Sequence, residues 1–200
     1  HGVDLVVANA ENAANGVGVN PETADELLAA EVNLLTSGNH IWSKRDIVPY
    51  LEARGSKLLR PANYPQGAPG RGHAVVETPD GRKLGVLNLE GRVFMKDLDD
   101  PFRAADRLVA ELSAQGCKCI LVDMHCDATS EKNAMGWFLD GKVSAVLGTH
   151  THVQTADQRV LPGVWLAGHA LHELLGRRKR FLTATQLFTN QTFRDIYRTD

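Results

Sequence analysis

The sequence predicts an α/β domain built on a largely parallel sheet, and three features point that way. Short apolar, β-branched runs alternate with segments of helical periodicity along most of the 200 residues. One run, Cys119-Ile120-Leu121-Val122, is apolar without alternation, as a strand covered on both faces requires. Residues of metal-ligand type follow directly after several of the runs, where an open α/β sheet collects its ligands. The length suits one domain with a substantial core. An apolar content of 43%, a charged content of 23% and a net charge of −2 are those of a soluble globular chain. That near-neutral balance argues against a dedicated nucleic-acid scaffold. No apolar run approaches the roughly 20 residues of a membrane span.

Taken in order, Asp4–Ala8 reads as a short buried strand that leads into Asn9-Ala10-Glu11-Asn12. Asn15–Val19 is glycine-rich but lacks both the dinucleotide-binding spacing and the Walker lysine, so it reads as a turn. Asn20 and Pro21 open a helix to about Ala30, the asparagine as cap and the proline at the first helical position. Val32–Thr36 is the next strand, ended by Ser37-Gly38-Asn39-His40. Ser43 is expected to cap a helix through Ile47, Tyr50 and Leu51. Leu58-Leu59-Arg60 reads as a short strand, and Pro61–Gly72 as loop. Ala74–Val76 and Leu84–Leu87 flank Pro79-Asp80-Gly81, the composition of a hairpin. Asp99-Asp100-Pro101 begins a helix that Gly116 closes. The Cys119 strand leads to Asp123-Met124-His125-Cys126-Asp127, Thr129–Phe138 is helical, and Val143–Leu147 is a last buried strand ended by Gly148-Thr149-His150-Thr151-His152. Cys117, Cys119 and Cys126 are too few and too clustered for a disulfide framework. They read as buried thiols of a reducing, cytoplasmic compartment.

Four strand ends thus carry ligand types: Glu11-Asn12, Asn39-His40, His125 with Asp127, and His150 with His152. Each has an ordinary explanation when taken alone. Glu11 can be a loop carboxylate, Asn39 a turn residue, His125 a satisfied core histidine, and the His-x-His pair loop histidines bonded to backbone. Together they require the same accident at four strand ends, which favours a metal site. Carboxylate, amide and imidazole donors suit manganese, iron or zinc and exclude a thiolate zinc site. Two such ions are a standard device for phosphoester hydrolysis, where they hold a hydroxide nucleophile at neutral pH.

These motifs resemble those of the calcineurin-like metallophosphoesterases, and within them the chain is similar to the bacterial YmdB-like 2′,3′-cyclic-nucleotide phosphodiesterases. Arg60–Pro65, Asn88-Leu89-Glu90-Gly91-Arg92, Asp99–Phe102, Ala128–Lys132 and Gly148–Asp157 extend the match, which runs from about Asp4 to Pro162. The resemblance implies an α/β metallophosphoesterase sandwich with flanking helices and two divalent ions, iron or manganese before zinc. It implies Glu11 as the bridging carboxylate. Asn39, His125 and His150 complete one ion's shell, and His152 binds the other. His40 is the catalytic histidine that protonates the leaving oxygen, and Asn12 supports the ligands or touches the phosphate. The implied partner is a small nucleotide or another phosphodiester.

The chain departs from that pattern in three places. The family's opening strand, which ends in a Gly-Asp pair with a metal-binding aspartate, has no counterpart after His1, so an incomplete copy of the fold is expected. His125-Cys126-Asp127 stands where the family has His-Ala-Glu. Beyond residue 163 the chain diverges into a basic segment, 164–200, with Arg177, Arg178, Lys179 and Arg180 in a row. That segment is the one candidate for nucleic-acid contact, although a solvated charge run is the simpler reading. The alternative to an enzyme is a catalytically impaired fragment of the same fold that serves as a binding or regulatory module.

Overall fold

The computed structural model describes residues 3–54, 57–153, 155–157 and 159–163. The divergent basic segment 164–200, with its candidate nucleic-acid contact, lies outside the described residues.

Within them the elements run β1 (Val7–Asn9), α1 (Pro21–Ala29), β2 (Leu34–Thr36), α2 (Ile47–Arg54), β3 (His73–Glu77), β4 (Lys83–Glu90), α3 (Pro101–Ala114), β5 (Cys119–His125), α4 (Thr129–Phe138) and β6 (Ala145–Thr149). The alternation is as expected, but the strands form two sheets rather than one. β1 and β2 pair in parallel, and a second sheet has the order β3-β4-β5-β6. In the second sheet the β3–β4 hairpin is antiparallel, while β4–β5 and β5–β6 are parallel. Pairing depends on contacts remote in sequence, so alternation alone does not reveal how many sheets the strands make.

The two-residue period of the strands explains the layers. Ile120, Val122 and Met124 of β5 and Leu87 and Leu89 of β4 face α3 and α4, where they meet Leu108, Val109, Leu112 and Met135. The opposite face presents Leu84, Val86 and Cys119 to Leu34 and Leu59, which closes the space between the sheets. Leu35, on the other side of the small sheet, packs with Ala24, Ile47 and Leu51 of the first two helices. The result is helix, sheet, sheet, helix, the sandwich that the resemblance implies. Along the inner face the residue types change. Leu84 and Val86 give way to Asn88 and Glu90, and Cys119 and Leu121 to Asp123 and His125. The interior therefore turns polar at the carboxyl ends of the parallel strands.

Local signals set the helix starts. Asn20 accepts from the Thr23 backbone N–H while the Thr23 hydroxyl receives the Asn20 N–H, a reciprocal cap with Pro21 in the first turn. Asp100 caps α3 through the N–H groups of Phe102 and Arg103. The expected Ser43 cap is not observed, because α2 begins four residues later at Ile47. Pro49 supplies the reason. A helix begun at Ser43 would bury its ring against the Arg45 carbonyl, whereas a start at Ile47 leaves it in the first turn, where no N–H is needed. Leu58 and Leu59 form single bridges, to Leu35 and Arg71, rather than a strand. Cys117, Cys119 and Cys126 are buried and unpaired. Among the described residues no helix is long and apolar enough to cross a membrane.

Candidate metal centre

Each group of the candidate centre leaves a strand at its carboxyl end. Glu11 follows β1 and Asn39 follows β2. His125 ends β5 and His150 directly follows β6. The pairing of Glu90 with His125, and of His125 with Thr149, aligns the ends of β4, β5 and β6. The β1–β2 pair brings the other two groups across the interior.

Four donor atoms converge there. His125 Nε2 lies 2.9 Å from Asn39 Oδ1, 3.0 Å from Glu11 Oε2 and 3.2 Å from His150 Nδ1. The two imidazoles meet edge to face, with centroids 4.9 Å apart. One ring nitrogen carries at most one hydrogen, so it cannot satisfy three such neighbours by hydrogen bonding. A cation can. Two donors about 2.1 Å from one ion and at right angles lie about 3.0 Å apart, which is the spacing seen. The Glu11, His125 and His150 ligand atoms all lie within 4.8 Å of one another. The residues present therefore fit a hard-to-borderline divalent ion.

The surroundings hold the donors in place. The His40 backbone N–H donates to Glu11 Oε1 at 2.9 Å, which leaves Oε2 for the centre. Lys96 Nζ donates to the Asn39 carbonyl at 3.1 Å. Gly38 is required by proximity, since a Cβ there would sit 2.2 Å from His125 Nε2. His150 and His152 both adopt positive φ, 101° and 54°, a conformation that non-glycine residues adopt at a cost of about 1–3 kcal/mol and that clusters at functional sites. Burial works to raise the Glu11 carboxyl, but the hydrogen bond and charge of His125 and the His40 N–H hold it below the ordinary glutamate value. Burial, aided by His125, lowers His150, which keeps its imidazole neutral as a ligand must be.

Of the residues singled out in the sequence, Glu11, Asn39, His125 and His150 are thus brought together. His152 is exposed and stands apart, its Nε2 2.9 Å from Asn12 Nδ2. Asn12 Oδ1 is buried without a partner. His40 reaches the centre through its backbone, and its half-buried side chain is not among the four converging groups. Asp127 is outside the cluster as well.

Asn9, Thr36, Glu90, Asp123 and Thr149 are not among the site residues that the sequence suggests. Asp123 is fully buried and accepts from Thr36 Oγ1, from Asn9 Nδ2 at 2.9 Å and from Thr149 Oγ1 at 2.7 Å. Burial pushes its carboxyl up against the pull of those bonds. Glu90 is buried with neither carboxylate oxygen bonded, and burial raises it to about 7. The available signal was the period of two. Asp123 lies two residues before His125, and Glu90 two after Asn88, so each faces the same interior.

The model of the YmdB-like protein family matches residues 1–166. The chain belongs to that family. A second model, for a family of unknown function (DUF5939), matches residues 142–195. The chain is 47% identical over 158 residues to a 2′,3′-cyclic-nucleotide 2′-phosphodiesterase of Bacillus subtilis, covering 79% of this chain and 59% of that one. It is 35% identical to a putative phosphatase/phosphodiesterase of Mycoplasma pneumoniae, covering 80% and 57%. A hypothetical protein of Thermus thermophilus superposes with a TM-score of 0.75 at 46% identity, over 80% of this chain and 61% of the other. An NAD nucleotidase of Haemophilus influenzae shares the fold at 20% identity, with a TM-score of 0.52 over 76% of this chain and 34% of its own. The chain spans less than two thirds of the length of these relatives.

Proposed function

We propose that the chain is a metal-dependent phosphodiesterase domain acting on 2′,3′-cyclic nucleotides. The observation that carries this reading is the convergence of Glu11 Oε2, Asn39 Oδ1, His125 Nε2 and His150 Nδ1 at ligand-to-ligand spacing. The name of the Bacillus subtilis relative supports the substrate class.

In this proposal Glu11, Asn39, His125 and His150 hold one divalent ion. Glu11 and His152 would be the residues available to hold a second. Manganese or iron suits the mixed donor set better than zinc. Bound divalent ions would supply positive charge to the phosphoryl oxygens and acidify a water. The chain's own residues would do the rest. Glu11, with Oε1 fixed by the His40 N–H, sets the spacing of the ligands. Asn12 holds His152 through its Nδ2, and its buried Oδ1 has no partner. His40, on the turn after Asn39, is the general acid. Water would add at phosphorus, the bond from phosphorus to the 2′-oxygen would break, and His40 would pass a proton to that oxygen, which leaves the 3′-monophosphate. Imidazole is the side chain most often used for such a proton transfer.

The test is hydrolysis of 2′,3′-cyclic AMP by the Mn²⁺-loaded chain, with products separated by chromatography. Release of 3′-AMP that His125→Ala abolishes is the expected result. No turnover above the His125→Ala background would reject the reading.

A further inference from the structure

Behind His125 lies a carboxylate, Asp123, that is not one of the four converging groups. Asp123 Oδ1 receives the Thr149 hydroxyl at 2.7 Å, and the same hydroxyl oxygen lies 2.8 Å from His125 Nδ1. The Thr36 hydroxyl and the Asn9 amide fill Asp123 Oδ2, from the opposite sheet. We propose that Asp123 and Thr149 are positioning residues that fix His125 in the tautomer able to bind a metal.

Hydrogen-bond direction decides the tautomer. A carboxylate only accepts, so it draws the single Thr149 proton towards itself. The hydroxyl then has only lone pairs to offer His125, whose Nδ1 must carry the hydrogen. That leaves a lone pair on Nε2, the atom facing Glu11, Asn39 and His150. Reversal of the hydroxyl would place the hydrogen on Nε2 and close the site. All three residues are buried, with exposures of 6% for Asp123, 0% for His125 and 6% for Thr149, so water cannot take over the relay. Partners of this kind are worth about 10- to 100-fold in metal affinity. Asp123 also binds β1 and β2 through Asn9 and Thr36, so the clasp that joins the two sheets orients the ligand at the same time.

The inference rests on the metal reading of the site, but not on the reaction or its substrate. Its first test is the nitrogen spectrum of His125 in the metal-free chain, assigned by its loss in His125→Asn. The expected result is a hydrogen on Nδ1 and none on Nε2, and a hydrogen on Nε2 would overturn the proposal. The second test is calorimetric titration with Mn²⁺ alone. Thr149→Val should weaken binding about 10- to 100-fold, and Thr149→Ser, which keeps the hydroxyl, should restore it. Unchanged affinity in the valine variant, or no recovery in the serine variant, would also overturn the relay. If the valine variant does not fold, the wild-type spectrum and the serine variant decide. A wild-type chain that binds no ion would refute the metal reading, while the spectrum would still judge the tautomer.

Discussion

Replacing Gly38 with alanine tests whether the centre depends on close approach. The added Cβ would lie 2.2 Å from His125 Nε2 and 2.3 Å from both ring carbons beside it. Unbonded carbon and nitrogen separate at about 3.5 Å, so the ring would have to retreat by about 1 Å. It has nowhere to go. His125 is completely buried and bonded to Thr149 on its far side. Overpacking of this kind costs about 1–3 kcal/mol of stability, and a displacement of about 1 Å at a reacting centre costs on the order of 100-fold in rate. Gly136→Ala is the control. Gly136 lies inside α4, and its Cβ would meet only Leu161 at an ordinary 3.9 Å. That change should add up to about 1 kcal/mol through helix propensity and leave the centre alone. Urea unfolding and calorimetric Mn²⁺ titration measure both effects. A Gly38→Ala chain with wild-type affinity and stability would show that the centre does not depend on this close approach.

Three further outcomes follow from the same geometry. Glu90 has an ordinary pKa of 4.5 when unfolded and about 7 when folded. A raised carboxyl lends its full stability below pH 4.5 and loses it as pH rises towards 7. Glu90→Gln should therefore stabilise the metal-free chain at pH 8 by up to about 3 kcal/mol and at pH 5 by about 1 kcal/mol or less. A pH-independent difference in urea unfolding would contradict this. His40→Ala should slow turnover of a 2′,3′-cyclic nucleotide about 100-fold or more while metal content stays unchanged, and equal turnover would remove His40 from the acid role. Chelation should lower the melting temperature, and Mn²⁺ should restore it in proportion to ln[Mn²⁺] above the dissociation constant, an effect that His125→Ala should abolish.

How much of this was legible in the sequence depended on how local the determinant was. Asn20-Pro21 and Asp100-Pro101 announce their helices because cap and first turn are neighbours in the chain. Glu11, Asn39, His125 and His150 were readable because ligand types follow apolar runs, and parallel strands bring such ends together. Ser43 misled because Pro49, six residues on, decides where the helix can begin. The two-sheet arrangement was legible only through the family resemblance, because strand alternation does not reveal pairing between remote strands. Asp123 and Glu90 were missed for a related reason. A polar residue inside a strand reads as one that faces solvent until the opposite sheet is known. Thr36 and Asn9, which make Asp123 tolerable in the interior, lie 87 and 114 residues away from it.

A metal centre built from Glu11, Asn39, His125 and His150 should keep its ions through purification. Elemental analysis of chain purified without chelator or affinity histidines tests it most directly. About two divalent ions per wild-type chain are expected, and their loss in His125→Ala. Metal-free wild-type protein, or a His125→Ala variant with undiminished metal, would contradict it.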